Sequence, residues 1–79
     1  MPYHEIVWTN RAIQKVEAHG LSREEVEFVV LSCRNQPLTS RSSGLPAYKG
    51  RTHSGELVFV VFEPIDEVRI AVITAYPIV

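Results

Sequence analysis

The sequence predicts an α+β domain in which two helices pack on one face of a small antiparallel sheet, in the order β-α-α-β-β-β. Three observations support this prediction: a short strand-like segment opens the chain, two segments with helical spacing follow, and three strand-like segments fill the second half. With 79 residues, the chain has room for one domain, 1–79, with a small core. A deep cofactor cleft is therefore not expected.

Both helices carry sequence signals at their starts. The first is predicted to begin at Thr9 or Asn10, either of which offers an N-cap oxygen, and to run to about His19. The second begins with a capping box made by Ser22 and Glu25. Its apolar residues at helical spacing are Val26, Val29, Val30 and Cys33.

Strand-like segments occupy the start and the second half of the chain. The predicted strands are Tyr3–Trp8, Ala47–His53, Leu57–Phe62 and Val68–Tyr76. The last three are expected to form an antiparallel meander, joined by turns at Ser54-Gly55 and at 64–67. Asn35–Pro46 has no apolar period and is predicted to be a surface loop. In the last strand, simple alternation puts Arg69 and Tyr76 on opposite faces.

The composition favours a soluble, cytoplasmic protein. The single cysteine, Cys33, excludes an intramolecular disulfide, and no charged-then-apolar leader opens the chain, so a reducing compartment is the natural setting. The longest apolar run, Leu57–Phe62, is far too short to span a bilayer. No membrane partner is therefore expected.

Charge is segregated along the chain, although the formal net charge is only -1. Before Arg34, five acidic residues outnumber three basic ones, which gives a charge of -2. From Glu56 onward, four acidic residues accompany Arg69 alone, which gives -3. Arg34–Gly55 carries four basic residues and no acidic one, which gives +4. This basic block predicts a surface that binds anions.

The basic block contains several candidate binding residues. Because strand side chains alternate between faces, Lys49, Arg51 and His53 are expected on one face, where they could hold a phosphate. Arg34 and Arg41 add two cations before that strand, the second of them within the predicted loop. The alternative is a solubilising role, since cations on exposed strands commonly prevent edge-to-edge aggregation.

Two residues of the last strand are further candidates. Arg69 could fork onto phosphate oxygens, and Tyr76 could donate a hydrogen bond or stack on a base. The alternative for Arg69 is an ion pair with a local carboxylate, Asp66 or Glu67. The alternative for Tyr76 is that it covers the core.

Histidine supplies the candidate acid or base. His53 lies beside the basic strand and has the side chain best suited to proton transfer at neutral pH, although an exposed turn histidine often has no function. His19 lies in the last turn of the first helix, where a structural role suffices because helix carbonyl dipoles favour positive charge. His4 is expected to be solvated. These histidines and Cys33 lack the spacing of metal ligands, so neither a metal nor a cofactor is expected.

Most of the chain resembles the BrnT-like toxins. His19-Gly20-Leu21-Ser22, followed by Glu24-Glu25-Val26, is similar to the family segment His-Gly-Val-Ser-x-Glu-Glu. Gly50-Arg51-Thr52 is similar to the family's glycine-containing strand, and Val68-Arg69-Ile70 before Ile73-Thr74-Ala75 is similar to its closing Ile-Arg-Ile-Ile-Ser-Ala strand. Tyr48 and Tyr76 stand where the family commonly has arginine.

That resemblance implies a RelE-like ribonuclease fold and the toxin of a type II toxin–antitoxin pair, which cleaves RNA without a metal and is inhibited by an antitoxin protein. RNA, free or on the ribosome, and the antitoxin are then the expected partners. Attack of a ribose 2′-hydroxyl on the adjacent phosphate needs a base, an acid and cations. The resemblance implies that Lys49, Arg51 and Arg69 hold the phosphate, while His53 or Tyr76 transfers protons or stacks on a base.

A non-catalytic function fits the same residues. The basic surface or an exposed strand edge would then bind an acidic protein partner, without any proton-transfer geometry. A toxin homologue that kept the fold and lost the activity would belong to this class. An exposed meander edge on so small a core also allows a homodimer.

Overall fold

The computed structural model describes residues 5–32, 38–40 and 44–78. Its elements, in chain order, are β1 (Glu5–Val7), α1 (Asn10–Ala18), α2 (Arg23–Ser32), β2 (Leu38–Thr39), β3 (Pro46–Arg51), β4 (Leu57–Pro64) and β5 (Arg69–Pro77). The strands form one five-stranded sheet in the order β1-β5-β4-β3-β2, with both helices against one face. The predicted α+β class is confirmed.

The helix boundaries follow from their caps. Thr9 is the N-cap of α1, since its hydroxyl oxygen accepts a hydrogen bond from the Ala12 N–H at 3.1 Å. The helix ends before Gly20, which adopts a positive φ of 81° that favours glycine. At α2 the predicted capping box is present: the Glu25 N–H donates to the Ser22 hydroxyl at 3.2 Å, and the Ser22 N–H donates to the Glu25 carboxylate at 3.0 Å.

The sheet is mixed rather than wholly antiparallel. Strands β3, β4 and β5 form the predicted antiparallel meander. β1 pairs in parallel with β5, and the long connection that a parallel pair needs is formed here by all the elements from α1 to β4. The pairing extends only as far as Val7 beside Ala71. Leu38–Thr39, within the segment predicted to be a loop, forms the short antiparallel edge strand β2.

The core lies between the helices and one face of the sheet, which we call the helix face; the opposite face is the far face. The core contains Val16, Val26 and Val29 from the helices and Tyr48, Val58, Val60, Phe62, Ile70, Val72 and Ala75 from the helix face. The Tyr48 and Phe62 rings stack with centroids 4.8 Å apart. Gly50 allows α2 to approach β3, since a Cβ there would lie 3.2 Å from Val29 Cγ1.

A β-bulge in β5 reverses the alternation that the sequence predicts. Phe62 pairs with Val72, but the preceding residue of β4, Val61, pairs with Thr74, so that Ile73 is the extra residue. In β5, the even-numbered residues face the helices before the bulge, and the odd-numbered residues face them after it. Tyr76 and Arg69 were expected on opposite faces, and the bulge places both on the far face.

Candidate functional site

Three side chains form a row across the far face. Lys49 of β3 pairs with Phe59 of β4, and Phe59 pairs with Tyr76 of β5. Directly paired residues of antiparallel strands project to the same face, so the row contains a cation followed by two aromatic rings. The Phe59 and Tyr76 ring centroids are 5.6 Å apart, and both side chains are half-buried. We call Lys49, Phe59 and Tyr76 the cross-strand row.

His19 extends the row at the Tyr76 end. Its ring centroid lies 5.9 Å from that of Tyr76, with the two planes inclined by 54°. The position follows from the end of α1, because His19 is the C-cap residue, and its side chain is exposed. The sequence suggested only a structural role for His19, whereas the structure places its imidazole beside an aromatic platform.

Arg51 lies one far-face position beyond Lys49. It pairs with Leu57 and is exposed. Its Nη1 donates to the Gly55 carbonyl oxygen at 2.8 Å, which holds the guanidinium at the end of its own hairpin. Four of the five guanidinium N–H donors remain for other acceptors. The structure therefore brings Lys49, Arg51 and Tyr76 to one end of the far face. Lys49 and Tyr76 lie on either side of β4, so their backbones are two interstrand distances, roughly 10 Å, apart.

Arg69 shares this face but lies at its other end. It begins β5, whereas Tyr76 is near the end of that strand, and Arg51 pairs at the opposite end of β4. At about 3.3 Å per residue, Arg51 and Arg69 are roughly 25 Å apart along the strands. The predicted grouping of these two arginines around one phosphate does not occur, because antiparallel strands place the start of β5 beside the end of β4.

Asp66 holds the Arg69 side chain. Its Oδ2 accepts from Arg69 Nε and Nη2, each at 2.8 Å, and its Oδ1 accepts from the backbone N–H groups of Val68 and Arg69, each at 2.9 Å. The Val68 N–H bond, followed by the bond from the Arg69 side chain, lowers the pKa of Asp66 below its ordinary value of 3.8. The same pair raises the pKa of Arg69. This is the local ion pair that the sequence left open as an alternative.

His53 lies away from the cross-strand row. β3 ends at Arg51, and the turn that follows directs His53 towards α2. There its ring meets the Phe28 ring edge-on, with centroids 5.6 Å apart and planes inclined by 73°. The strand was expected to continue through His53, which would have put its side chain beside Lys49 and Arg51. The turn bonds of Thr52, whose N–H donates to the Glu56 carbonyl at 2.8 Å, end the strand two residues earlier.

Four residues considered in the sequence analysis, Arg34, Arg41, His4 and Cys33, lie outside the described residues. Within the described ranges, no three His, Cys, Asp or Glu side chains are arranged to hold a metal ion. Neither α1 nor α2 is long and apolar enough to cross a membrane.

Phe59 and His19 are the residues that sequence reasoning missed. Phe59 lies within an apolar run in which core-facing and far-facing residues look alike. A two-residue turn at Ser54-Gly55 would place Phe59 opposite Gly50, whereas the observed connection has three residues, His53-Ser54-Gly55, and places Phe59 opposite Lys49. No signal marked the contact between His19 and Tyr76, since it depends on where α1 ends relative to β5.

No protein-family model, curated protein or solved structure matches this chain. The resemblance to BrnT-like toxins therefore stays a prediction, and function is argued from the geometry of the far face.

Proposed function

We propose that this chain binds single-stranded RNA across the far face and cleaves it without a metal ion, as the toxin of a type II toxin–antitoxin pair in the cytoplasm. The observation that carries the proposal is the cross-strand row of Lys49, Phe59 and Tyr76, extended by His19. Sheet faces with exposed aromatic rings bind unpaired bases by stacking, and neighbouring cations bind the phosphates.

Each group on this face suits one part of the reaction. Phe59 and Tyr76 provide surfaces for two bases, while Lys49 and Arg51 bind the phosphate and stabilise the charge that develops on it. The ribose 2′-oxygen forms a bond to phosphorus as the bond from phosphorus to the 5′-oxygen breaks. The 2′-hydroxyl proton passes to a base, an acid protonates the leaving 5′-oxygen, and the products are a 2′,3′-cyclic phosphate and a 5′-hydroxyl.

His19 replaces His53 as the proposed proton-transfer residue. Its imidazole is exposed and lies beside Tyr76, whereas the His53 ring packs against Phe28 on the helix side. Imidazole is the side chain best suited to accept and return a proton near neutral pH.

Binding without cleavage is a second candidate. Arg69, which the resemblance placed among the phosphate-binding cations, is roughly 25 Å from Arg51 by strand rise and is held by Asp66. That leaves two cations at the aromatic end of the described far face, enough to retain a strand but fewer than the resemblance implies for catalysis. The same surface would then serve an RNA-binding or antitoxin-binding protein that lacks activity.

The test is cleavage of a single-stranded RNA by the purified chain in excess chelator, alone and with ribosomes. Lys49→Ala and Tyr76→Ala remove members of the row, and His19→Ala removes the imidazole beside it. Arg23→Ala is a matched surface control on α2. RNA binding measured in parallel separates affinity from chemistry. A terminal 2′,3′-cyclic phosphate identifies the proposed reaction.

Cleavage that resists chelator, persists in Arg23→Ala and is abolished in His19→Ala supports the proposal. Binding by the wild-type chain without cleavage, with or without ribosomes, supports the second candidate. If the chain neither binds nor cleaves RNA, the proposed function is wrong. Growth arrest on expression, relieved by a co-expressed protein that blocks the far face, tests the toxin–antitoxin role.

A further inference from the structure

A groove runs between α1 and β5 where β1 stops. β1 pairs with β5 only as far as Ala71, so the next part of that strand edge faces α1 instead of another strand. The groove has a volume of about 330 Å³. It is lined by Thr9, Arg11, Ala12, Lys15, Ala71, Val72 and Ile73. The β-bulge contributes to it, because Ile73 is the extra residue of β5.

Two cations face this groove from one side of α1. Arg11 and Lys15 are four residues apart, so they share a face of the helix. Arg11 is exposed and Lys15 is half-buried. Neither side chain has a hydrogen bond or an ion pair with another residue in the described ranges. Both side chains are thus available to a ligand in the groove.

The same face of α1 leads to the cross-strand row. His19 is four residues beyond Lys15 and contacts Tyr76. Arg11 and His19 are therefore roughly 12 Å apart along the helix, at about 1.5 Å per residue. Among the described residues that line the groove, the charged ones are Arg11 and Lys15, so the groove is suited to an anion.

We infer that the α1 groove is a phosphate subsite, in which Arg11 and Lys15 bind the backbone of a single-stranded nucleic acid whose bases stack on Phe59 and Tyr76. This inference rests on the proposed function and adds the path that the strand takes away from the row. Arg can hold two phosphate oxygens at once, while Lys contributes a point charge. Contacts of this kind position the strand and carry no base preference.

The length of the ligand follows from this path. A dinucleotide can occupy the row but cannot also reach Arg11, whereas a strand of roughly ten nucleotides, within the usual range of site sizes, spans both. The double variant Arg11→Ala/Lys15→Ala should therefore weaken binding of the longer strand and leave dinucleotide binding unchanged. The slope of log affinity against log salt should fall by about 0.7 for each phosphate that the variant no longer neutralises.

The experiment combines this salt series with two-dimensional amide NMR of the full chain titrated with the longer single-stranded RNA. We expect shifts at Lys49, Phe59 and Tyr76 and also at Ala12, Ala71 and Val72. Arg23→Ala is the matched control and should retain the wild-type affinity and salt slope.

Two different failures can be told apart. If amides of the row shift while those of the groove do not, and the double variant keeps the wild-type salt slope, the phosphate subsite is refuted and the proposed function stands. If neither set shifts with RNA, the proposed function fails and the subsite fails with it. If the groove amides shift only with an acidic peptide such as polyglutamate, the groove serves a protein partner and the inference is overturned.

Discussion

Asp66 receives both the Nε and Nη2 donors of Arg69 on a single oxygen, at 2.8 Å each, in the turn that leads into β5. The same carboxylate accepts the backbone N–H groups of Val68 and Arg69. Arg69 therefore stabilises the entrance to β5, while Lys49 and Arg51 of the described far face are at the opposite end of the strands.

Arg69→Ala is expected to leave RNA binding within about twofold of wild type, because a charge roughly 25 Å from Arg51 lies well beyond the Debye length at physiological salt. Lys49→Ala should weaken binding and lower the salt slope by about 0.7. Binding titrations at several salt concentrations measure both effects. Equal losses in the two variants would mean that Arg69 belongs to the site, as the sequence resemblance implied.

Asp66→Asn should destabilise the fold in a pH-dependent way. The pKa of Asp66 is lowered in the folded chain, so its contribution to stability is present above the ordinary value of 3.8 and is lost as pH falls through the lower folded value. The difference in unfolding midpoint between wild type and variant should be constant at neutral pH and vanish in acid. A difference that grew on acidification would contradict this assignment.

Tyr76→Ala should weaken binding of single-stranded RNA by roughly 1–3 kcal/mol, the usual contribution of one base stacked on an aromatic ring. Tyr76→Phe should bind like wild type, because the ring is retained. Tyr48→Phe is a matched control, since Tyr48 stacks on Phe62 on the helix face. Fluorescence anisotropy of a labelled RNA gives all three affinities, and a loss in Tyr76→Phe equal to that in Tyr76→Ala would exclude stacking.

Deletion of Ile73 should leave the faces of β5 unchanged. Ile73 is the extra residue between Val72 and Thr74, so without it Thr74 follows Val72 directly, Ala75 stays buried and Tyr76 stays on the far face. We therefore expect the variant to fold, with a loss in the free energy of unfolding below the roughly 3 kcal/mol that forcing the Tyr76 ring into the core would cost. Thermal unfolding measures it. Ile73→Val keeps the bulge and should unfold near the wild-type temperature.

Glu27→Ala should report on the packing of the segment after β1 against α2. The single tryptophan, Trp8, donates its indole N–H to Glu27 Oε2 at 2.8 Å, and the bond is partly buried. Loss of the acceptor should lower the free energy of unfolding by roughly 1–3 kcal/mol. Glu27→Gln keeps an acceptor oxygen and should lose less. Intrinsic tryptophan fluorescence follows unfolding in both variants.

Local order in this chain was readable from the sequence. The capping box of Ser22 and Glu25, the Thr9 cap that was one of two alternatives, and the meander of β3, β4 and β5 all depend on residues close together in the chain. Capping bonds link residues three apart, and short turns join neighbouring strands. Both form from local contacts, so packing between distant segments has little effect on them.

The site was only partly predictable, because its residues come from segments far apart in the chain. Lys49, Arg51 and Tyr76 were candidates from residue type alone, but their grouping depends on strand order and register. Alternation in β5 predicted the wrong face for Tyr76 because a bulge of one residue leaves no signature in an apolar strand.

By itself, then, the sequence determined the two capped helices, the hairpins and the basic character of β3, all of which arise from interactions within a few residues. Only the tertiary structure decided that β1 pairs in parallel with β5, that Ile73 turns Tyr76 to the far face, and that His19 lies beside it. The physical reason is that these relations depend on packing between segments far apart in the chain, where small differences in register reverse the face on which a side chain lies.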